Sequence, residues 1–214
     1  RELIRISDNG EGMNKDDLLL CVERHATSKI KDVSDLMSIE TLGFRGEALP
    51  SIASVSRVKI TSRPAEELVG YSLIMAGGKM KSIDETGCPA GTAIEVRNLF
   101  YNMPARKKFL RAARTESEQI SEIFFRIALP FIGIHFRLED GDKTAFNLPV
   151  SVDYLNRLSV LLGREVASSM KEYSLERDGM RIRAYLAPPD MSRSRGDRIP
   201  VSYTHLTLPT KRIV

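Results

Sequence analysis

Apolar and polar residues alternate over several short stretches of the chain, the period-2 signature of strands with one buried face. Arg1–Ser7 alternates apolar with charged residues and runs into a turn at Asp8–Gly12. Ser56–Ser62, Val69–Met75 and Lys79–Asp84 follow as strands, the last two joined by a hairpin turn at Gly77-Gly78. Thr92–Leu99 is a further strand, with Ile94 and Val96 facing one way. Ile132, Ile134, Phe136 and Leu138 alternate cleanly, and Lys143–Leu148 reads as the strand returning after Gly141-Asp142.

Helical spacing takes over elsewhere. Asn14 can cap a helix over about Lys15–Glu23, with Asp16 and Asp17 well placed in its first turn. A second helix spans Glu47–Ser54, where the helix dipole accounts for Glu47, which receives no catalytic role. Ile120, Ile123, Phe124, Ile127 and Ala128 recur at helical spacing behind a Thr115–Glu118 capping box. Tyr154–Leu162 forms an apolar helix stopped at Gly163, and two strands flank Asp178-Gly179. Arg24–Leu42 is polar and weakly periodic, a long loop with some helix, of the kind that often moves over a site.

Adjacent hairpin strands with a few helices predict an α+β fold, a two-layer α/β sandwich rather than a doubly wound parallel sheet. The first domain is expected over residues 1–150. From about Ser151 the pattern restarts as the beginning of a second α/β domain, 151–200, too short to close its own core. No internal repeat is evident.

Composition narrows the class without deciding it. At 214 residues, 42% hydrophobic and 28% charged, the chain is an ordinary globular one with room for one domain and part of another. No apolar run approaches membrane-spanning length, and Arg1–Ile6 is no signal peptide, so no membrane partner is expected. The chain opens without methionine and is expected to begin inside a longer protein. Cys21 and Cys88 fit neither a metal spacing nor a disulfide framework and read as free thiols in a reducing, cytoplasmic compartment. Lys211 and Arg212 supply part of the net charge of +4, so local clustering, rather than total charge, has to argue for nucleic acid.

Two glycine-bearing segments carry the candidate chemistry. Asp8-Asn9-Gly10-Glu11-Gly12-Met13 has the composition of a turn passing close to something, because glycine tolerates φ > 0 and lacks a Cβ. Leu42-Gly43-Phe44-Arg45-Gly46-Glu47-Ala48-Leu49 runs straight into a helix, an arrangement that aims free N–H groups outward as an anion site. Together they point to a phosphate-bearing ligand. A turn such as Asp8-Asn9-Gly10 also joins strand to helix in proteins that bind nothing there.

Arg106, Lys107, Lys108, Arg111 and Arg114 stand close together with no acid among them, and Arg193, Arg195 and Arg198 form a looser group. Such clusters neutralise nucleic-acid phosphates in a salt-dependent, sequence-indifferent way. A solvated basic helix face has the same composition. Aromatic residues are not interleaved so as to indicate base stacking.

The two glycine motifs, in this order and with Arg24-His25-Ala26-Thr27-Ser28-Lys29 between them, resemble the MutL family of DNA mismatch repair ATPases. That family belongs to the GHKL group with gyrase B, heat-shock chaperones and sensor histidine kinases. Asp8–Met13 resembles a motif of the whole group. Gly43–Leu49, His25–Lys29 and Phe100-Tyr101-Asn102-Met103-Pro104-Ala105-Arg106-Lys107-Lys108-Phe109-Leu110 resemble MutL-type sequences in particular. The likeness runs from Arg1 to about Pro200.

The resemblance implies the GHKL (Bergerat) sandwich, a second domain similar to ribosomal protein S5 domain 2, and ATP with Mg²⁺ as ligands. It implies that Asp8 accepts a hydrogen bond from the adenine amine, with Gly10, Gly12 and Met13 beside the base. Gly43, Phe44, Arg45, Gly46 and Leu49 form the phosphate cradle, with Thr27, Ser28 and Lys29 on the phosphate side and Gly91-Thr92 at the adenine end. Lys29 also reads as a solvated loop lysine, and His25 as structural. Weak DNA contact through Arg106, Lys107, Lys108, Arg111, Arg193 and Arg195 is implied, as are a MutS-type mismatch-recognition protein, a nuclease and a nucleotide-driven homodimer.

In the family the glutamate base and the Mg²⁺-holding asparagine lie on a helix upstream of the first strand here. This sequence is therefore expected to bind nucleotide without useful hydrolysis and to be monomeric. The stretch Val201–Val214 resembles a translated sequencing-library adapter and is set apart from fold reasoning, the other reading being a divergent native strand. The alternative function is a non-hydrolysing DNA-binding or protein-interaction module whose glycine turns are purely structural.

Overall fold

The computed structural model describes residues 2–24, 43, 46–177 and 180–189. The chain divides into two compact units, the first running to Arg111 and the second starting at Ala112.

In the first unit β1 (Leu3–Ser7), β2 (Arg57–Arg63), β3 (Gly70–Ala76), β4 (Lys79–Thr86) and β5 (Gly91–Arg97) form one sheet in the order β1-β5-β2-β3-β4. Every pairing is antiparallel. Residues opposite one another share a face, so the register stacks the apolar positions into rungs. Ile4, Val96, Val58 and Met75 make one rung; Ile6, Ile94, Ile60, Leu73 and Ile83 make the next. One step further the same face turns polar, with Thr92 opposite Ser62 and Ser62 opposite Tyr71. Asp8 joins that rung by donating its N–H to the Thr92 carbonyl at 2.9 Å.

Two helices, α1 (Lys15–Leu20) and α2 (Ala48–Ser54), cover the apolar rungs. Leu18 and Ala53 are buried with Val58, Ile60, Leu73 and Met75 in the core. At the β1 edge the same face is open, Ile6 being 65% exposed. The Asn14 side chain caps α1 through the Asp17 N–H at 2.9 Å, as the sequence predicts. The helix ends at Leu20, short of Glu23, because the chain tightens: the Glu23 N–H reaches back to the Leu20 carbonyl. Glu47 is the N-cap of α2 rather than a residue of its first turn.

The end of α2 is closed from two sides. The hairpin glycines Gly77 and Gly78, both left-handed, donate to the Ser56 and Ala53 carbonyls at 3.1 and 2.8 Å. Asn102 Nδ2 donates to the Ser54 carbonyl at 2.9 Å and the Phe100 N–H to that of Val55 at 2.7 Å. Buried helix ends need such partners. Asn98 and Phe100 adopt φ of 53° and 62° to supply them. A short helix, α3 (Pro104–Lys108), follows with proline at its start.

The second unit opens with α4 (Ala113–Ala128). Its N-cap is Ala112, without a side-chain cap, so the expected Thr115–Glu118 capping box does not form. Thr115 lies inside the helix, and Glu118 pairs instead with Arg114 at 3.1 Å. Phe124 packs on the hairpin of β6 (Phe136–Asp140) and β7 (Lys143–Leu148), edge-on to Phe136 and stacked on Phe146. β6 is shorter than the alternation from Ile132 predicts, because the Ile132 and Ile134 carbonyls turn to the Arg157 guanidinium. Arg157, on α5 (Tyr154–Leu162), is fully buried and also donates to the Phe131 and Leu148 carbonyls. Gly163 stops α5 at φ 95°, as expected. A further helix that the pattern did not reveal, α6 (Arg164–Ser169), precedes the hairpin of β8 (Lys171–Arg177) and β9 (Met180–Leu186). No described helix is long and apolar enough to cross a membrane.

Candidate functional site

The polar rung of the first sheet gathers one acidic side chain and two hydroxyls at the end of β1. Asp8 Oδ1 accepts two backbone N–H groups, that of Gly10 at 2.9 Å and that of Thr92 at 3.2 Å. This clamps the carboxylate, and among the described residues its Oδ2 has no protein partner. Asp8 is exposed, and with Oδ1 engaged its Oδ2 is the open acceptor.

Behind it, the buried Ser62 hydroxyl ties three segments together. It accepts the Met13 N–H at 2.8 Å, lies 3.1 Å from the Gly91 carbonyl and 2.8 Å from Thr92 Oγ1.

Two glycines make this approach possible. Gly12 has φ 74°, and a Cβ there would stand 2.2 Å from the Arg63 carbonyl oxygen. Gly91 has φ 107°, and its Cβ would stand 2.2 Å from the Asp8 carbonyl oxygen. Both positions combine a left-handed backbone with backbone-to-backbone contact that no side chain can escape. The loop running into β3 is held by Arg63, whose guanidinium donates to the Cys88, Pro64 and Glu67 carbonyls.

Comparison with known proteins bears on what this arrangement is. The DNA mismatch repair protein MutL of Syntrophobacter fumaroxidans is 44% identical over 194 residues, covering 91% of this chain and 29% of that protein. MutL of Citrifermentans bemidjiense is 42% identical over 206 residues, covering 96% of the chain and 31% of that protein. The chain is a homologue of MutL. It spans less than a third of the length of these curated relatives. No protein-family model matches it.

Among solved structures, the Aquifex aeolicus MutL ATPase domain complexed with ADP superposes with a TM-score of 0.68 at 29% identity, covering 91% of this chain and 66% of that one. A further structure of the Aquifex aeolicus MutL ATPase domain gives 0.64 at 26%. The N-terminal domain of a DNA repair protein gives 0.73 at 22% identity, a likeness of fold. The α+β fold with its antiparallel sheet is that of MutL ATPase-domain structures.

In this MutL homologue the adenine-end residues expected from the sequence, Asp8, Gly10, Gly12, Met13, Gly91 and Thr92, meet in one place. Gly12 and Gly91 also make room for the protein's own backbone, a close approach the sequence did not reveal. Gly10 is close to its own clamp, since a Cβ there would lie 3.1 Å from Asp8 Oδ1.

Of the residues expected on the phosphate side, Gly46 is left-handed at φ 62°. A Cβ at Gly43 would meet none of the described residues within 4 Å. Leu49 packs against the core. Thr27, Ser28, Lys29, Phe44 and Arg45, with His25, lie outside the described residues.

Of the expected DNA-contacting residues, Arg106, Lys107 and Lys108 are exposed on α3, and Arg111 follows it. Arg193 and Arg195, with Arg198, fall outside the described residues. Arg114 is paired with Glu118. Phe109 is 85% exposed between Lys108 and Arg111, so one aromatic does stand among these cations.

Sequence reasoning missed Ser62. Its signal was present: in β2 the buried positions run Val58, Ile60, Ser62, so the apolar face ends on a hydroxyl. The work of residues 100–102, closing α2, was missed as well.

Proposed function

We propose that this chain is the adenine-nucleotide-binding part of a MutL-type mismatch repair ATPase. The observation that carries the reading is Asp8: a carboxylate with one oxygen fixed by two backbone N–H groups and the other open beside Thr92. A carboxylate only accepts and an exocyclic amine only donates, so the open oxygen suits the adenine amino group. The likeness to an Aquifex aeolicus ATPase domain complexed with ADP supports the same ligand.

Gly43–Leu49 with Thr27, Ser28 and Lys29 take the phosphate side in this reading. Mg²⁺, the glutamate base and hydrolysis belong to the whole protein, and no residue of this chain is assigned to the metal. Arg106, Lys107, Lys108 and Arg111, with Arg193 and Arg195, contribute a weak, phosphate-directed DNA contact. The first domain extends to about residue 150, and an S5-like domain begins after it. In the whole protein, nucleotide binding drives homodimerisation and sets contacts with a mismatch-recognition protein and a nuclease on cytoplasmic, nucleoid DNA. This chain alone is a monomer.

Calorimetric titration with ADP, and with a non-hydrolysable ATP analogue and Mg²⁺, tests the reading. The chain is expected to bind both. Asp8→Asn keeps an acceptor for the Gly10 and Thr92 N–H groups but turns an amide N–H₂ toward the adenine amine, so affinity falls by at least about tenfold while the fold persists. Equal affinity in Asp8→Asn would overturn the assignment.

A further inference from the structure

We propose that Ser62 determines the base specificity of the site by fixing the direction of the Thr92 hydroxyl hydrogen. The inference rests on the adenine-nucleotide reading of Asp8 given above, and adds a residue that does not itself reach the ligand.

The hydrogens available at Ser62 fix the arrangement. A serine hydroxyl has one hydrogen to give and two lone pairs to receive. Ser62 Oγ has three neighbours: the Met13 N–H at 2.8 Å, the Gly91 carbonyl at 3.1 Å and Thr92 Oγ1 at 2.8 Å. The Met13 N–H can only donate and the Gly91 carbonyl can only accept, so the single Ser62 hydrogen goes to Gly91. The third contact is then made only if Thr92 donates to Ser62. Ser62 is fully buried, with no water-facing alternative for its hydrogen.

Thr92 Oγ1 is thereby left with lone pairs alone, and Ser62 is its one hydrogen-bond partner among the described residues. Asp8, whose Oδ1 takes the Thr92 N–H, has a second acceptor in Oδ2. Thr92 and Asp8 are held together by the Asp8 N–H on the Thr92 carbonyl and the Thr92 N–H on Asp8 Oδ1. The pair therefore shows acceptors only. The two hydrogens of a 6-amino group match two neighbouring acceptors, while a 6-oxo group sets a further acceptor against them and the N1–H beside it can satisfy only one. Without Ser62, the Thr92 hydroxyl would be free to turn its hydrogen outward and receive the oxo group. Ser62 is thus a positioning residue that acts through Thr92.

The test is the ratio of ADP to inosine diphosphate affinity, measured by calorimetry on the full chain. The unsubstituted chain is expected to prefer ADP, and Ser62→Ala to lower the ratio about tenfold, the scale of one hydrogen bond. In a Thr92→Val background, Ser62→Ala is expected to leave the ratio unchanged, since the group it acts through is gone. Equal weakening of both ligands by Ser62→Ala, with the ratio intact, would mean a structural role only and would overturn the proposal while leaving the adenine reading standing. The same change of ratio with and without the Thr92 hydroxyl would also overturn it. If Ser62→Ala does not fold, Ser62→Gly, which also removes the hydroxyl, is read on the same ratio, and an unchanged value overturns the proposal. Failure of the unsubstituted chain to bind either nucleotide would instead bring down the adenine reading and this inference with it.

Discussion

Replacing Gly91 with alanine tests the packing logic of the site most directly. The added Cβ would stand 2.2 Å from the Asp8 carbonyl oxygen, 2.8 Å from Asn9 Cα and 2.9 Å from the Asp8 carbonyl carbon. All three are backbone atoms, so no side chain can swing aside. Ordinary contact starts at 3.4 Å, and the ends of β1 and β5 must part by about 1.2 Å, the difference between 3.4 and 2.2.

That separation carries both hydrogen bonds between Asp8 and Thr92, now 2.9 and 3.2 Å, to about 4 Å, beyond useful length. One is a neutral backbone bond worth about 1 kcal/mol and the other is charge-assisted and worth about 2 kcal/mol. The residue must also hold φ 107°, which costs a non-glycine residue a further ~1 kcal/mol. The sum is about 4 kcal/mol, a large part of the stability of a unit this size.

Urea denaturation followed by circular dichroism measures it, with ADP titration in parallel. Gly87→Ala is the control: its Cβ would meet nothing within 4 Å, and it should stay within about 0.5 kcal/mol of the parent. Stability of Gly91→Ala within 1 kcal/mol of the parent, with unchanged ADP affinity, would refute the reasoning. It would mean that the two strand ends are not in contact as described.

Three further outcomes follow from two groups outside the candidate site. Arg157→Met keeps the volume but removes a charged donor from four carbonyls, of which Phe131 and Ile132 keep the Ile134 and Ser151 N–H groups, so the second unit should lose about 3 kcal/mol in urea denaturation; a methionine variant as stable as the parent would show that water satisfies the carbonyls left open. The Cys21 thiol, pushed up from 9.0 to about 11 by burial and then by Asp17, should be alkylated at pH 8 about a hundredfold more slowly than a free thiol. Because the folded state holds that proton more tightly than the unfolded one, Cys21 stabilises the fold below pH 9, and its contribution is lost as the pH rises from 9 to about 11. Stability that rises over this window would contradict the assignment.

The elements themselves were legible where local chemistry decides them. Alternation located β2 to β5 to within a residue or two, Asn14 announced α1, and the paired glycines 77 and 78 announced a hairpin. These signals live within a few residues, and the backbone responds to them locally. The errors have tertiary causes. Thr115 and Glu118 have the composition of a capping box, yet α4 starts at Ala112 and Glu118 is taken by Arg114. Ile132 and Ile134 alternate like a strand, yet a buried arginine more than twenty positions away claims their carbonyls.

The site divides in the same way. The sequence by itself determined which residue types stand at the end of β1 and the start of β5: a carboxylate, two glycines that admit left-handed turns, and a threonine. Which backbone each glycine makes room for was decided by contacts across the chain, Asp8 meeting Thr92 at a separation of 84 positions and Met13 meeting Ser62 at 49. Ser62 read as the last residue of an ordinary strand. Only the antiparallel register that sets β2 beside β5 puts its hydroxyl against Thr92, because strand pairing, unlike strand formation, is a long-range choice made by the whole core.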